Sequence, residues 1–176
     1  MDACGFKVVR ITTPFNGPHI LSATVPYVLK SVDYDKGGPG VAYYDSTPTT
    51  TSGESYRKAG GDNNYQGIDI QSDLESIGYV TSGEWMIYTL EVQDAGTYFV
   101  SAEIASYGES VCHIERDGIN VTGPISMPTT GGWDVWAWHN ISTPITFTKG
   151  THQIRFYFGT PVLINLRNLK FMFQER

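Results

Sequence analysis

Charged side chains are scarce in this chain. Only 17% of residues are Asp, Glu, Lys or Arg, and the balance is −6. Phosphate recognition needs clustered Lys and Arg, so a nucleic-acid partner is not expected, and neither is an acidic lipid surface. No apolar run approaches the ~20 residues that cross a bilayer, so no membrane insertion is expected. The start, Met1 to Gly5, lacks the apolar core of a signal peptide, and any leader is read as already removed. Cysteine is nearly absent. Cys4 and Cys112 could pair, but a free Cys4 and a Cys112 buried on a strand is the preferred reading. Amphipathic helices of useful length, internal repeats and domain linkers are all missing.

The chemistry of an enzyme is missing too. His19, His113, His139 and His152 are scattered, without the spacing of a metal site. There is no Gly-x-Ser-x-Gly elbow. Gly37-Gly38-Pro39-Gly40 lacks the Lys-Ser/Thr and the helix of a phosphate loop. Asp45, Glu84, Glu109 and Asp134 have the chemistry of glycosidase carboxylates, but nothing in the sequence pairs any two of them. The expectation is a protein that is not an enzyme and has no cofactor.

What is present is aromatic and turn-rich. Aromatic residues make up 13% of the chain and glycines number 19. That composition favours strands joined by tight turns. The run from Glu84 to Val92 alternates Trp85, Ile87, Thr89 and Glu91 against Met86, Tyr88, Leu90 and Val92. Tyr98, Val100, Ala102 and Ile104 share one face of the next strand, and Asp117-Gly118 closes a hairpin. Further strands are expected at 111–116, 120–127, 145–148, 151–159 and 165–173, with residues 46–67 as a long polar loop. The fold class is all-β, a sandwich of two antiparallel sheets packed face to face. Residues 1–13 are read as an N-terminal extension or edge strand, and residues 14–176 as the sandwich.

Three of the four tryptophans fall within six residues, in Thr129-Thr130-Gly131-Gly132-Trp133-Asp134-Val135-Trp136-Ala137-Trp138. Period two puts Trp136 and Trp138 on one face of a strand, where one or both are expected to pack the core. Trp133 lies off that register beside a glycine turn, which favours a surface role. An exposed indole suits the apolar C–H face of a sugar, with Asn, Asp, Glu or Gln bonding the hydroxyl rim. Covering ~100 Å² of sugar face supplies roughly 2.5 kcal/mol. Tyr79, after Gly78 and near the Ser82-Gly83 turn, is a second ring of this kind.

Several short motifs, in order, resemble carbohydrate-binding module family 6. They are Pro14-Phe15-Asn16-Gly17, Asp33-Tyr34-Asp35-Lys36-Gly37-Gly38-Pro39-Gly40-Val41-Ala42-Tyr43, Ser55-Tyr56-Arg57, Gly67-Ile68-Asp69-Ile70, Ile77-Gly78-Tyr79, Gly83-Glu84-Trp85, Ala95-Gly96-Thr97-Tyr98, Asp117-Gly118, Thr130-Gly131-Gly132-Trp133 and Asn165-Leu166. The resemblance runs from about Pro14 to Phe173. It implies a jelly-roll sandwich whose loop cleft clamps a sugar between Tyr79 and Trp133, with Asn165 bonding it. Asp45, or its neighbour Tyr44, is the expected further polar wall. Trp85 corresponds to a second surface used by some members, or to core.

The same resemblance implies a structural calcium in most members, but the ligand positions here are Lys30, Val32 and Arg167. Two cations and a valine do not hold calcium, which takes oxygen ligands and negative charge. No metal is therefore expected, with Lys30 or Arg167 filling the space. The implied function is a secreted, non-catalytic module that directs an attached polysaccharide-degrading enzyme to its substrate. It is expected to be monomeric when isolated. The alternative is a jelly-roll structural or protein-contact module that has lost sugar binding.

Overall fold

The computed structural model describes residues 12–47, 53–63, 65 and 68–175. The expectation for Cys4, and that of an extension or edge strand over residues 1–13 as far as residue 11, lie outside these residues. The described strands are β1 (His19–Leu21), β2 (Tyr27–Lys30), β3 (Tyr43–Tyr44), β4 (Trp85–Val92), β5 (Gly96–Ser106), β6 (Ser110–Arg116), β7 (Ile119–Asn120), β8 (Ile125–Met127), β9 (Trp136–Phe147), β10 (Gly150–Phe158) and β11 (Ile164–Phe173). They form two sheets. One runs β1-β4-β10-β6-β7, with β3 added to β4 and β8 to β6; the other runs β2-β11-β5-β9. All pairings are antiparallel except β1 with β4. The sandwich of two sheets expected from the strand pattern, and the jelly roll implied by the resemblance, are the observed architecture.

The core follows the pleat. Met86, Tyr88, Leu90 and Val92 of β4, Ile154, Phe156 and Phe158 of β10, and Val100, Ala102 and Ile104 of β5 are all buried between the sheets. Successive side chains on a strand point to opposite faces, so Trp85 falls on the outer side of its sheet. Cys112 is buried on β6, and burial pushes its thiol up to about 12.

Two expectations are corrected. The segment 46–67 is not loop throughout, because Gly53–Ala59 forms a helix, α1. Its buried positions are Gly53 and Arg57, a pattern without an apolar stripe. Trp136 and Trp138 do share a face, as period two requires, but neither packs the core. That face is the outer one: Trp138 is 43% exposed. The Arg167 guanidinium lies 3.8 Å from the Trp136 ring centroid, and Lys170 Nζ lies 4.6 Å from that of Trp138. Alternation divides a strand into two faces without saying which one is inside.

Helix α1 is anchored by one side chain. Arg57 is fully buried, with its guanidinium 4.0 Å from the Phe15 ring centroid and 3.8 Å from that of Tyr34. Its Nη1 donates to Val32 O at 3.1 Å and Tyr34 O at 2.5 Å. Its Nη2 donates to Asp35 O at 3.0 Å and to Asp62 Oδ2 at 2.7 Å, and Nε donates to Asp62 Oδ2 at 3.0 Å. All five N–H groups are thereby engaged. Replacing Arg57 by Ala leaves Asp62 and three carbonyls buried without partners. The expected loss is about 3–5 kcal/mol in urea unfolding. A loss below about 1 kcal/mol would contradict this reading.

Candidate functional site

One end of the sandwich carries a cleft of about 580 Å³ lined by Gln71, Tyr79, Val80, Trp133, Asp134, Val162, Leu163 and Asn165. Its floor is set by β11. Leu166 exchanges backbone hydrogen bonds with Ile77, at 2.8 and 2.9 Å, and its carbonyl also accepts from Ser31 Oγ at 2.6 Å. That pairing brings the Ile77-Gly78-Tyr79 segment beside Asn165. A β-carbon on Gly78 would stand 2.4 Å from Gln71 Nε2 and 2.8 Å from Asn165 Oδ1. Glycine is needed there for the two amides to sit against the backbone.

Tyr79 is held in an unusual state. Its φ is 54°, in the left-handed region that a bulky residue avoids. Its ring is 71% exposed, so little packing offsets the strain. Strained backbone of this kind persists where surrounding structure over-determines it, and it clusters at ligand sites. The following loop is tied down by Glu84, which is buried. Glu84 Oε1 accepts from Ser46 N, Ser46 Oγ and Thr81 Oγ1 at 2.8–3.0 Å, while Oε2 accepts from Thr81 N at 3.0 Å.

Trp133 is positioned by Ser106. The Ser106 carbonyl accepts from the backbone N–H of Thr130, Gly131 and Gly132 at 3.0–3.2 Å, and from Thr129 Oγ1 at 3.0 Å. Gly131 takes φ 101° to make this wrap, which explains a glycine ahead of the indole. Trp133 O then accepts from Asn165 Nδ2 at 2.9 Å. The ring stays 43% exposed. It stacks on Tyr107, centroids 6.0 Å apart and planes 12° apart.

The structure therefore brings Tyr79, Trp133 and Asn165 into one cleft, from segments distant in the chain. Asp45 and Tyr44 are not among its lining residues. Tyr44 is an exposed β3 residue opposite Trp85. Asp45 sits beside Glu84, and its neighbour Ser46 is linked to Thr81, two residues past Tyr79, through Glu84 and through a hydroxyl contact at 2.6 Å. Burial raises the Asp45 carboxyl above the usual carboxylate range; the Thr47 amide opposes that shift and the Glu84 charge adds to it. Trp85 is half-buried on the outer face of its sheet, with Arg155 4.3 Å from its ring centroid. Sequence reasoning missed Gln71, Val162, Leu163 and Tyr107. Tyr107 carried the same signal as Trp133, an aromatic beside a turn glycine, in Ser106-Tyr107-Gly108.

A model of carbohydrate-binding module family 6 matches residues 52–172. The chain belongs to carbohydrate-binding module family 6. A curated relative, the clotting factor G alpha subunit of Tachypleus tridentatus, is 27% identical over 133 residues, covering 74% of this chain and 17% of its own length. The chain thus spans about a sixth of that relative. Among solved structures, a family 6 module of Clostridium stercorarium in complex with cellobiose is 18% identical, with a TM-score of 0.58, covering 90% of this chain and 99% of its own. The C-terminal family 6 module of the Zobellia galactanivorans laminarinase LamC is 20% identical, with a TM-score of 0.56, over 84% and 99%. A family 35 module of Clostridium thermocellum is 16% identical, with a TM-score of 0.59, over 86% and 100%. These likenesses show the fold. Family 6 modules bind carbohydrate and are generally non-catalytic.

The calcium implied for this family does not fit the residues present. Val32 is sealed in the core. Lys30 is exposed on β2 opposite Asn168, so it fills no interior space, contrary to one expectation. Arg167 lies over Trp136, with Nη2 3.6 Å from Asp73. Among the described residues no group of three or more His, Cys, Asp or Glu is placed to hold a metal.

Two predictions follow from this geometry. The melting midpoint of the module is expected to be the same in EDTA and in millimolar calcium, whereas a ligand at a hundred times its Kd would add about 2.7 kcal/mol and several degrees. Tyr79→Gly is expected to raise stability by about 0.5–1 kcal/mol. Relief of roughly 1–2 kcal/mol of left-handed strain exceeds the entropy that glycine adds to the unfolded chain. A destabilised variant in thermal or urea unfolding would show that Tyr79 is not strained.

Proposed function

We propose that the cleft binds a polysaccharide, along its length or at its end, by clamping one sugar unit between Tyr79 and Trp133 above Asn165. The observation that carries this reading is that two exposed aromatic residues, from distant segments, line one cleft together with a buried amide. Each ring offers an apolar face for sugar C–H groups. Asn165 uses one N–H on Trp133 O, leaving the other N–H and the carbonyl lone pairs for hydroxyls. The rigid loops reduce the ordering cost of binding. Asp45, whose neighbour Ser46 is tied to Thr81 of the Tyr79 loop, and Tyr44 on β3, opposite Trp85, serve longer ligands that reach past the cleft.

On this reading the module is secreted and monomeric, and holds an attached polysaccharide-degrading enzyme at its substrate. The cellobiose held by the Clostridium stercorarium module makes a β-linked glucan the first ligand to try. Xylan and agar-type chains follow it.

The test is affinity electrophoresis through gels containing β-glucan, laminarin, xylan or agarose. At least one polysaccharide is expected to retard the module. Trp133→Ala, which removes about 100 Å² of contact worth roughly 2.5 kcal/mol, should weaken retention by ~50- to 100-fold. An unretarded but folded module would favour the structural alternative. Release of sugars by the isolated module would show a hydrolase.

A further inference from the structure

Tyr107 has no part in the clamp, yet it is held as firmly as Trp133. Both rings leave the same hub. Ser106, immediately before Tyr107, accepts the amides of residues 130–132, immediately before Trp133. The single Ser106 hydroxyl proton is shared between Leu163 O, at 2.8 Å, and Gly108 O. Tyr107 N donates to Leu163 O at 3.2 Å. The turn is thereby pinned to the cleft wall, because Leu163 lines the cleft. The packing is close: a β-carbon on Gly108 would stand 2.8 Å from Leu163 Cδ1.

The ring itself is left open. Tyr107 is 67% exposed, and none of the hydrogen bonds found among the described residues involves its hydroxyl. Its plane is 12° from that of Trp133, with centroids 6.0 Å apart. Carbon atoms in contact lie about 3.5–4.0 Å apart, so rings at this centroid distance are slipped sideways rather than eclipsed. Part of each face remains uncovered, and the two faces are nearly parallel. Leu163, 42% exposed, extends the apolar margin beside them.

We propose that Tyr107 is a second sugar subsite. It stacks the unit next to the one clamped by Tyr79 and Trp133, so the module reads two or more consecutive units of one chain. The inference rests on the proposed sugar clamp and goes beyond it by naming the ligand as an oligomer that continues past the clamp. A single sugar, or a chain end buried with nothing beyond it, gains nothing from Tyr107.

Calorimetric titration with one to four units of the cello- and laminari- series tests this, using the unsubstituted module, Tyr107→Ala, Tyr107→Phe and Trp133→Ala. The unsubstituted module is expected to gain about ten-fold in affinity when the ligand grows past the clamped unit, the size expected when a slipped ring covers about half of a ~100 Å² sugar face. Tyr107→Ala should lose that gain while keeping its affinity for the shortest ligand that binds. Tyr107→Phe should keep the gain. If Tyr107→Ala weakens every length equally, the residue only positions Trp133 and the subsite is overturned. An unchanged length dependence in Tyr107→Ala, with binding still dependent on Trp133, also overturns it and leaves the clamp standing. No binding of any length by the unsubstituted module removes the clamp and the subsite together.

Discussion

The buried Arg57 guanidinium is the constraint on which the cleft end of the sandwich depends. Taking a cation out of water costs several kcal/mol, and the interior tolerates it only when every donor is satisfied. Here five N–H groups meet one carboxylate and three carbonyls, with an aromatic ring against each face. A helix of seven residues does not form alone in water, so α1 exists through this anchorage. From Arg57 the constraint passes to residues 31–35. Asp35 carries it to β4 through Thr89 N and Oγ1, at 2.9 and 2.6 Å. Ser31 carries it to Leu166, next to Asn165. The cleft floor is therefore part of the same bonded framework as the core.

Above that floor, polar bonding does the work that packing does elsewhere. The Ser106 carbonyl holds the Trp133 loop, Glu84 ties Thr81, two residues past Tyr79, to Ser46, and Asn165 ties the Trp133 carbonyl to β11. The rings are free to stay exposed because their backbones, rather than their side chains, are fixed. A stacking site of modest area benefits from this arrangement. Little freedom remains to be lost on binding, so a shallow contact can still give micromolar to millimolar affinity.

Much of this was legible in the residues. The alternation in Trp85–Val92 and in Gly96–Ser106 marked two long strands, and the glycines before Tyr79 and Trp133 marked two aromatics at turns. The order of short motifs, rather than any one of them, brought Tyr79, Trp133 and Asn165 into one site. Other features were hidden for physical reasons. Trp136 and Trp138 share a face as period two requires, but cations from β11 cover them on the outer side, and alternation carries no information about which side is filled. Helix α1 escaped notice because its inward residues are Gly53 and Arg57, so it has no apolar stripe to read. Asp45 sits beside Glu84 rather than in the cleft, a pairing across 39 residues of sequence that no spacing rule exposes. Tyr107 carried a local signal, but its meaning depends on Ser106 reaching the loop before Trp133.

The most direct measurement is a crystal structure of the module soaked with a short oligosaccharide of the polysaccharide it retains. The account predicts one sugar ring between Tyr79 and Trp133, within hydrogen-bond distance of Asn165, with the loops unmoved. A sugar bound instead on the outer sheet face beside Trp85, with the Tyr79–Trp133 cleft empty, would contradict it.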